Sequence, residues 1–130
     1  LESLYADIDD CLTNEVYDND FLCPTEYAVG KIKSALAAAD LLYTLPAGGH
    51  VATIGDGGIR LEWHNRSRNR EIRIVVWPTP ESESYVYSQD SPSSYGVSYG
   101  VDGKNIVWHL KWLANRHFWM QQYYEMEAQP

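Results

Sequence analysis

The sequence contains no long apolar run and no recognisable targeting signal. A bilayer-spanning helix needs roughly 20 consecutive apolar residues, and the longest candidate, residues 35–45, is interrupted by Asp40. No basic stretch followed by an apolar run, which would indicate a signal peptide, follows Leu1. We therefore expect a cytoplasmic protein without a membrane span.

Cysteine is scarce, with only Cys11 and Cys23 in the chain. A disulfide between them would close a short loop, but two thiols are the expectation for a cytoplasmic protein. Neither cysteine belongs to a CxxC pair, and the four histidines fall in different predicted elements. We therefore predict neither a metal site nor a cofactor.

Basic residues are absent from the first 30 positions, which carry eight acidic side chains. The rest of the chain balances its acidic residues with all ten Lys and Arg, so the net charge of −8 belongs to the N-terminal segment. Direct nucleic-acid binding requires a basic surface and is not expected. One-sided charge of this kind is typical of interaction segments.

No sequence motif of an established enzyme chemistry is present. Asp56-Gly57-Gly58 indicates a tight turn, because glycine tolerates the backbone angles of such turns and a strand rather than a helix follows. The sequence therefore favours a non-enzymatic protein. One alternative is a small enzyme that uses Glu62 and neighbouring polar residues on an open sheet face.

Apolar spacing predicts two kinds of element. The acidic segment 1–23 starts with a short helix to about Thr13, and further helices are predicted over 24–45 and 103–119. An antiparallel sheet is predicted over 50–101. Together they predict a single α+β domain over residues 1–130. Its architecture is a two-layer sandwich in which a sheet of three to five strands carries the N-terminal and C-terminal helices on one face.

Within the sheet, alternation separates two faces. Ile59, Leu61 and Trp63 are expected to point to the core, with Glu62 on the opposite face. The serine-rich run 88–94 indicates a loop. The strand that follows has glycine and serine on one face, which predicts that another element packs closely there.

Most of the aromatic residues are Tyr or Trp: the chain has ten Tyr and five Trp but only two Phe. Tyr and Trp combine an apolar body with a polar tip and are enriched in protein interfaces. Trp112, on the aromatic edge of the last helix, is therefore a candidate contact residue. A homodimer joined through the small-residue face of 95–101 and this edge is a further alternative.

The chain resembles a group of small bacterial proteins without an established activity. The resemblance covers roughly residues 24–116. It is carried by the Ala-rich helix, the strand sequence GDGGIRLEW and the closing helix sequence HLKWL. It implies a bacterial origin and the α+β fold described above, and it implies no catalytic residues.

We expect a protein that acts by protein–protein interaction, such as an acidic inhibitor or accessory protein comparable to an antitoxin. Its partner would be a basic or nucleic-acid-binding protein, because an acidic surface complements such a site. The arginine-rich loop 64–70 offers a second charged surface. The candidate interaction residues are Asp7, Asp9, Asp10, Asp18, Asp20, Arg66, Arg68 and Trp112.

Overall fold

The computed structural model describes residues 1–13, 23–91 and 94–114. Three α-helices are present in this part of the chain: α1 (Glu2–Thr13), α2 (Glu26–Leu42) and α3 (Gly103–Ala114). The strands are β1 (His50–Ile54), β2 (Gly58–Asn65), β3 (Arg70–Val76), β4 (Tyr85–Ser91) and β5 (Ser94–Tyr99). A short 3-10 turn, Arg66–Arg68, links β2 to β3.

The five strands form one antiparallel sheet in the order β1-β2-β3-β4-β5, so each strand pairs with its neighbour in the chain. The helices pack against this sheet. The predicted α+β sandwich is therefore confirmed, with a middle helix in addition to the N-terminal and C-terminal ones.

Helix α2 begins where the sequence predicts, because Thr25 caps it. The Thr25 Oγ1 accepts a hydrogen bond from the backbone N–H of Ala28 at 3.1 Å and donates one to the carbonyl of Pro78 at 2.7 Å. The cap therefore satisfies a helix N–H and also fixes α2 to the end of β3. The helix ends at Leu42 rather than at residue 45, and the Leu42 side chain is 66% exposed.

The β2–β3 pair has the predicted alternation of faces. Ile59, Leu61 and Trp63 are buried against the helices. Glu62 lies opposite Arg73, and His64 lies opposite Glu71, on the other face. The Glu62–Arg73 pair places opposite charges across the two strands and stabilises the open side of the hairpin.

The prediction of a loop over 88–94 was wrong. Strand β4 continues through Ser88 to Ser91, β5 starts at Ser94, and a register shift lies between Gln89 and Ser91. The prediction was wrong because the side chains of this stretch are polar. Ser88 is nevertheless fully buried, and its hydroxyl is hydrogen-bonded to His109 of α3. A buried hydroxyl with a partner costs far less than one without.

The small-residue face of β5 is covered as predicted. Gly96 and Ser98 are buried, and His109 Nε2 lies 2.9 Å from Ser98 Oγ. This face therefore packs on α3 of the same chain and does not offer a surface to a second copy. The predicted end of the last helix, residues 115–119, lies outside the described residues.

Candidate functional site

The predicted acidic surface lies on α1. Leu4 and Ile8 of this helix are buried in the core, whereas Asp7, Asp9 and Asp10 are exposed. This is the division that helical spacing of apolar and acidic residues produces. Two further candidates, Asp18 and Asp20, lie outside the described residues.

Asp9 differs from the other two acidic side chains in its surroundings. Its Oδ1 lies 2.6 Å from Nζ of Lys33 on α2, and the Lys33 ammonium also lies 5.3 Å from the centre of the Tyr5 ring. Tyr5 in turn donates a hydrogen bond to the carbonyl of Lys33 at 2.9 Å. Asp9 therefore contributes to the α1–α2 contact.

Asp7 and Asp10 instead line a groove of about 540 Å³ between α1 and β1. Cys11 of α1 and the chain from Gly49 to Thr53 complete its walls. Burial, together with the charges of Asp10 and Asp7, raises the pKa of the Cys11 thiol. The two carboxylates therefore create a negative potential within the groove.

The sequence did not predict this groove, because it depends on how α1 packs. Residues 7–11 and 49–53 are far apart in the chain, and apolar contacts of α1 with the body bring them together. Leu4 shows this directly, since its Cδ2 lies 3.0 Å from the position of a Cβ at Gly49. A larger residue at Gly49 would collide with Leu4 and with the Trp63 ring.

Cys11 and Cys23 are both thiols in the structure. Cys23 is exposed, and its Sγ lies 3.8 Å from the carbonyl oxygen of Leu12. Of the two, Cys11 alone is among the residues that line the α1–β1 groove.

The arginine candidates lie at the end of the β2–β3 hairpin. Arg66 and Arg68 are exposed on the 3-10 turn. Asn69 follows with φ 53°, the left-handed conformation that Asn tolerates better than most residues. Arg66 borders a polar hollow of about 360 Å³ together with His64 and Asp90.

Trp112 was predicted as a contact residue, and the structure places it in the core instead. Its side chain is only 4% exposed, and the Arg70 guanidinium lies 4.6 Å from the centre of its ring. Arg70 also donates a hydrogen bond to the Trp112 carbonyl, and Asn65 donates one to the carbonyl of Leu113 at 2.8 Å. The aromatic edge is therefore covered, because the end of α3 is held against the hairpin.

Glu62 forms the centre of an ion-pair network on the open sheet face. Its Oε1 lies 2.9 Å from Nε of Arg60 and 3.1 Å from Nε of Arg73. Its Oε2 lies 3.4 Å from Nε2 of His64, whose Nδ1 lies 3.7 Å from Oε2 of Glu71. Two cations share one carboxylate oxygen, so the geometry accounts for Glu62 as a cross-strand charge partner.

Tyrosines occupy the other half of the same face. The rings of Tyr87 and Tyr95 stack with centres 6.1 Å apart, and Tyr85 meets the edge of Tyr99 at 6.4 Å. Tyr95 and Tyr99 are each 65% exposed. The rings therefore contact one another across β4 and β5 while keeping one side in solvent.

The fold and the groove define an α+β protein with helices on one sheet face and an acidic helix beside the first strand. Comparisons with protein-family models, curated proteins and solved structures found no match for this chain. None of the described helices is both long and apolar enough to span a membrane. Among the described residues, no three His, Cys, Asp or Glu side chains are grouped as metal ligands would be.

Proposed function

We propose that this protein binds a protein partner with a basic surface and acts as an acidic inhibitor or accessory protein. The observation that carries the proposal is the position of Asp7 and Asp10, exposed on α1 and lining the groove beside β1. Charge complementarity steers a basic partner to such a surface and disfavours acidic ones.

The packing of α1 supports this proposal, because binding needs a rigid scaffold. Leu4 and Ile8 anchor the helix in the core, and the Asp9–Lys33 pair fixes it to α2. The backbone that carries Asp7 and Asp10 is therefore positioned before a partner arrives, which reduces the ordering cost of association.

The test is capture of partners by the immobilised protein from a bacterial lysate at low and at high salt. A variant with Asp7, Asp9, Asp10, Asp18 and Asp20 replaced by Asn should lose the basic proteins that the unaltered chain retains. Captured basic proteins should also elute as the salt concentration rises, since screening weakens exposed charge contacts.

A pair of double variants controls for net charge. Asp7→Asn with Asp10→Asn removes the same charge as Glu81→Gln with Glu83→Gln, and Glu81 and Glu83 are exposed in the β3–β4 connection. We expect loss of basic partners only in the first pair. Unchanged capture by the five-residue variant would rule the proposal out.

A further inference from the structure

Strand β1 forms one edge of the five-stranded sheet. Strand β1 is the first in the sheet, and in an antiparallel edge strand alternate N–H and C=O groups point away from the neighbouring strand. Within the described residues, no strand pairs with β1 other than β2. The groove beside α1 is lined by residues 50–53 of this strand.

Strand β1 also lacks the charged residues, proline and bulge by which an edge strand usually resists pairing. The sequence His50-Val51-Ala52-Thr53-Ile54 contains no Lys, Arg, Asp, Glu or Pro. Its pairing with β2 continues from His50 to Ile54 without a register shift. Edge strands without charge, proline or bulge readily accept a further strand.

The groove supplies the second half of a strand-binding site. An edge strand with a helix beside it is the arrangement in which peptides add to a sheet through main-chain hydrogen bonds, while pockets select their side chains. Here Asp7, Asp10 and Cys11 form the helix wall. Asp7 and Asp10 lie three residues apart on α1, which separates them by about 4.5 Å along the helix axis.

We propose that an extended lysine- or arginine-rich segment of a partner protein pairs with β1 as a sixth strand, with its alternate basic side chains at Asp7 and Asp10. Alternate residues of a strand lie about 7 Å apart, a spacing that the flexible stems of lysine and arginine adapt to the two carboxylates. The five residues of β1 set the length of the paired segment. This inference rests on the proposed function, binding of a basic partner, and specifies its mode.

Charge selects a basic segment over a second copy of this chain. Pairing of two β1 edges would bring the Asp7 and Asp10 carboxylates of both copies close together, in chains that each carry a net charge of −8. Like charges brought together at an interface oppose association. A lysine-rich strand carries positive charge and is attracted to the same carboxylates.

The probe is a fluorescein-labelled peptide, Lys-Val-Lys-Thr-Lys-Val-Lys, titrated with the full chain and followed by fluorescence anisotropy. The matched peptide with glutamate at the lysine positions should not bind.

Two further peptides carry N-methyl groups on either the odd or the even residues. Strand pairing requires the N–H groups on one side only, so one N-methyl series should lose binding at least about tenfold more than the other. Equal binding by both series would overturn the proposal, as would no binding by the lysine peptide.

The double variant Glu81→Gln with Glu83→Gln is the charge-matched control. Asp7→Asn with Asp10→Asn should weaken the peptide about tenfold, whereas the control should change its affinity less than about twofold, because Glu81 and Glu83 lie in the β3–β4 connection and not among the groove residues. Circular dichroism verifies that each variant is folded. Equal losses in both variants would mean that the peptide responds to overall charge, and the proposal would fail.

Cys11 reports the location of the peptide. In a Cys23→Ser background, peptide binding should slow alkylation of Cys11 by iodoacetamide at least about threefold, because the thiol lines the groove. An unchanged rate at saturating peptide places the peptide elsewhere and overturns the inference. Sedimentation equilibrium showing a dimer that excludes the peptide would assign the edge to a second copy and overturn the proposal.

The two proposals can fail separately. If the five-residue Asn variant loses its basic partners but the N-methyl peptides bind equally, the acidic surface is used without strand pairing. If the peptide binds as expected but partner capture is unaffected by the Asn substitutions, the groove recognises basic strands and the proposed function is wrong.

Discussion

His109 is a fully buried histidine in the middle of α3. Its Nδ1 is hydrogen-bonded to Ser88 of β4, and its Nε2 lies 2.9 Å from Oγ of Ser98 on β5. Burial lowers its pKa from the ordinary 6.5 to about 3. The imidazole is therefore neutral in the folded chain at neutral and mildly acidic pH, and it links α3 to two strands.

The free energy of unfolding should fall as the pH is lowered through this range. Between pH 6.5 and pH 3 the unfolded chain binds a proton at His109 that the folded chain excludes, so acid favours unfolding. Each unit of pKa difference corresponds to about 1.4 kcal/mol, which gives a loss on the order of 3 kcal/mol from this residue between pH 7 and pH 4. Urea titrations at a series of pH values measure it.

The slope of the unfolding free energy against pH gives the number of protons that the chain takes up on unfolding. The substitution His109→Asn should lower this number by about one, even though it also lowers stability at pH 7. His50→Asn is the control, because His50 is exposed on β1. A pH profile that is the same in the His109→Asn variant and in the unaltered chain would show that the proton is bound elsewhere.

At the scale of elements, local sequence signals predicted most of the fold. The helix over residues 2–13, the start of α2 and the alternation of β2 follow from apolar spacing and capping chemistry within a few residues. The continuation of β4 beyond Tyr87 could not be predicted. Its polar residues belong to a strand only because His109, on another element, satisfies the hydroxyl of Ser88.

The candidate site was predictable only in part. The acidic side chains of α1 are evident from the sequence, but their position beside β1 depends on tertiary packing. Trp112 illustrates the same limit, since an aromatic residue looks equally suited to a core and to an interface. The Arg70 contact that covers it joins residues 42 positions apart.

The α2–α3 contact depends on a glycine, and two substitutions should show it. A Cβ at Gly103 would lie 2.8 Å from Cβ of Ala38 and 2.9 Å from the backbone nitrogen of Ala39. Gly103→Ala should therefore cost about 1–3 kcal/mol in unfolding free energy, because neither helix can yield locally. Thermal and urea denaturation measure the loss.

Gly30→Ala is the matched substitution within α2. Nothing lies within 4 Å of a Cβ at Gly30, and alanine is favoured over glycine in a helix interior by about 0.5–1 kcal/mol. This variant should be more stable than the unaltered chain. If Gly103→Ala and Gly30→Ala changed the unfolding free energy in the same direction, close packing would not explain why residue 103 is a glycine.

At the scale of the whole molecule, α1 shares the core of the other elements. Leu4 and Ile8 belong to the same buried cluster as Ile32 of α2, Leu61 of β2 and Leu110 of α3. A helix packed in this way should unfold together with the sheet. We therefore expect α1, α2, α3 and the sheet to unfold as one cooperative unit.

Ile8→Ala tests this expectation. Loss of a fully buried isoleucine side chain should lower the global unfolding free energy by about 2–5 kcal/mol. All five tryptophans contribute to the fluorescence, among them the buried Trp63, Trp108 and Trp112. The unfolding midpoint followed by this fluorescence should shift by the same amount as the midpoint followed by far-ultraviolet circular dichroism. A shift in circular dichroism alone would mean that α1 unfolds separately, and residues 1–13 would then not belong to the cooperative unit.

The order of strands has a consequence for folding during synthesis. Each strand pairs with the strand beside it in the chain, and contacts between near neighbours accompany fast folding. The sheet can therefore assemble hairpin by hairpin as the chain is made. Helix α3 is synthesised after all five strands and packs on α2 from the first half of the chain. We therefore expect Ser88 and Ser98 to remain hydrated until His109 reaches them, so that this polar cluster loses its water in the last stage of folding.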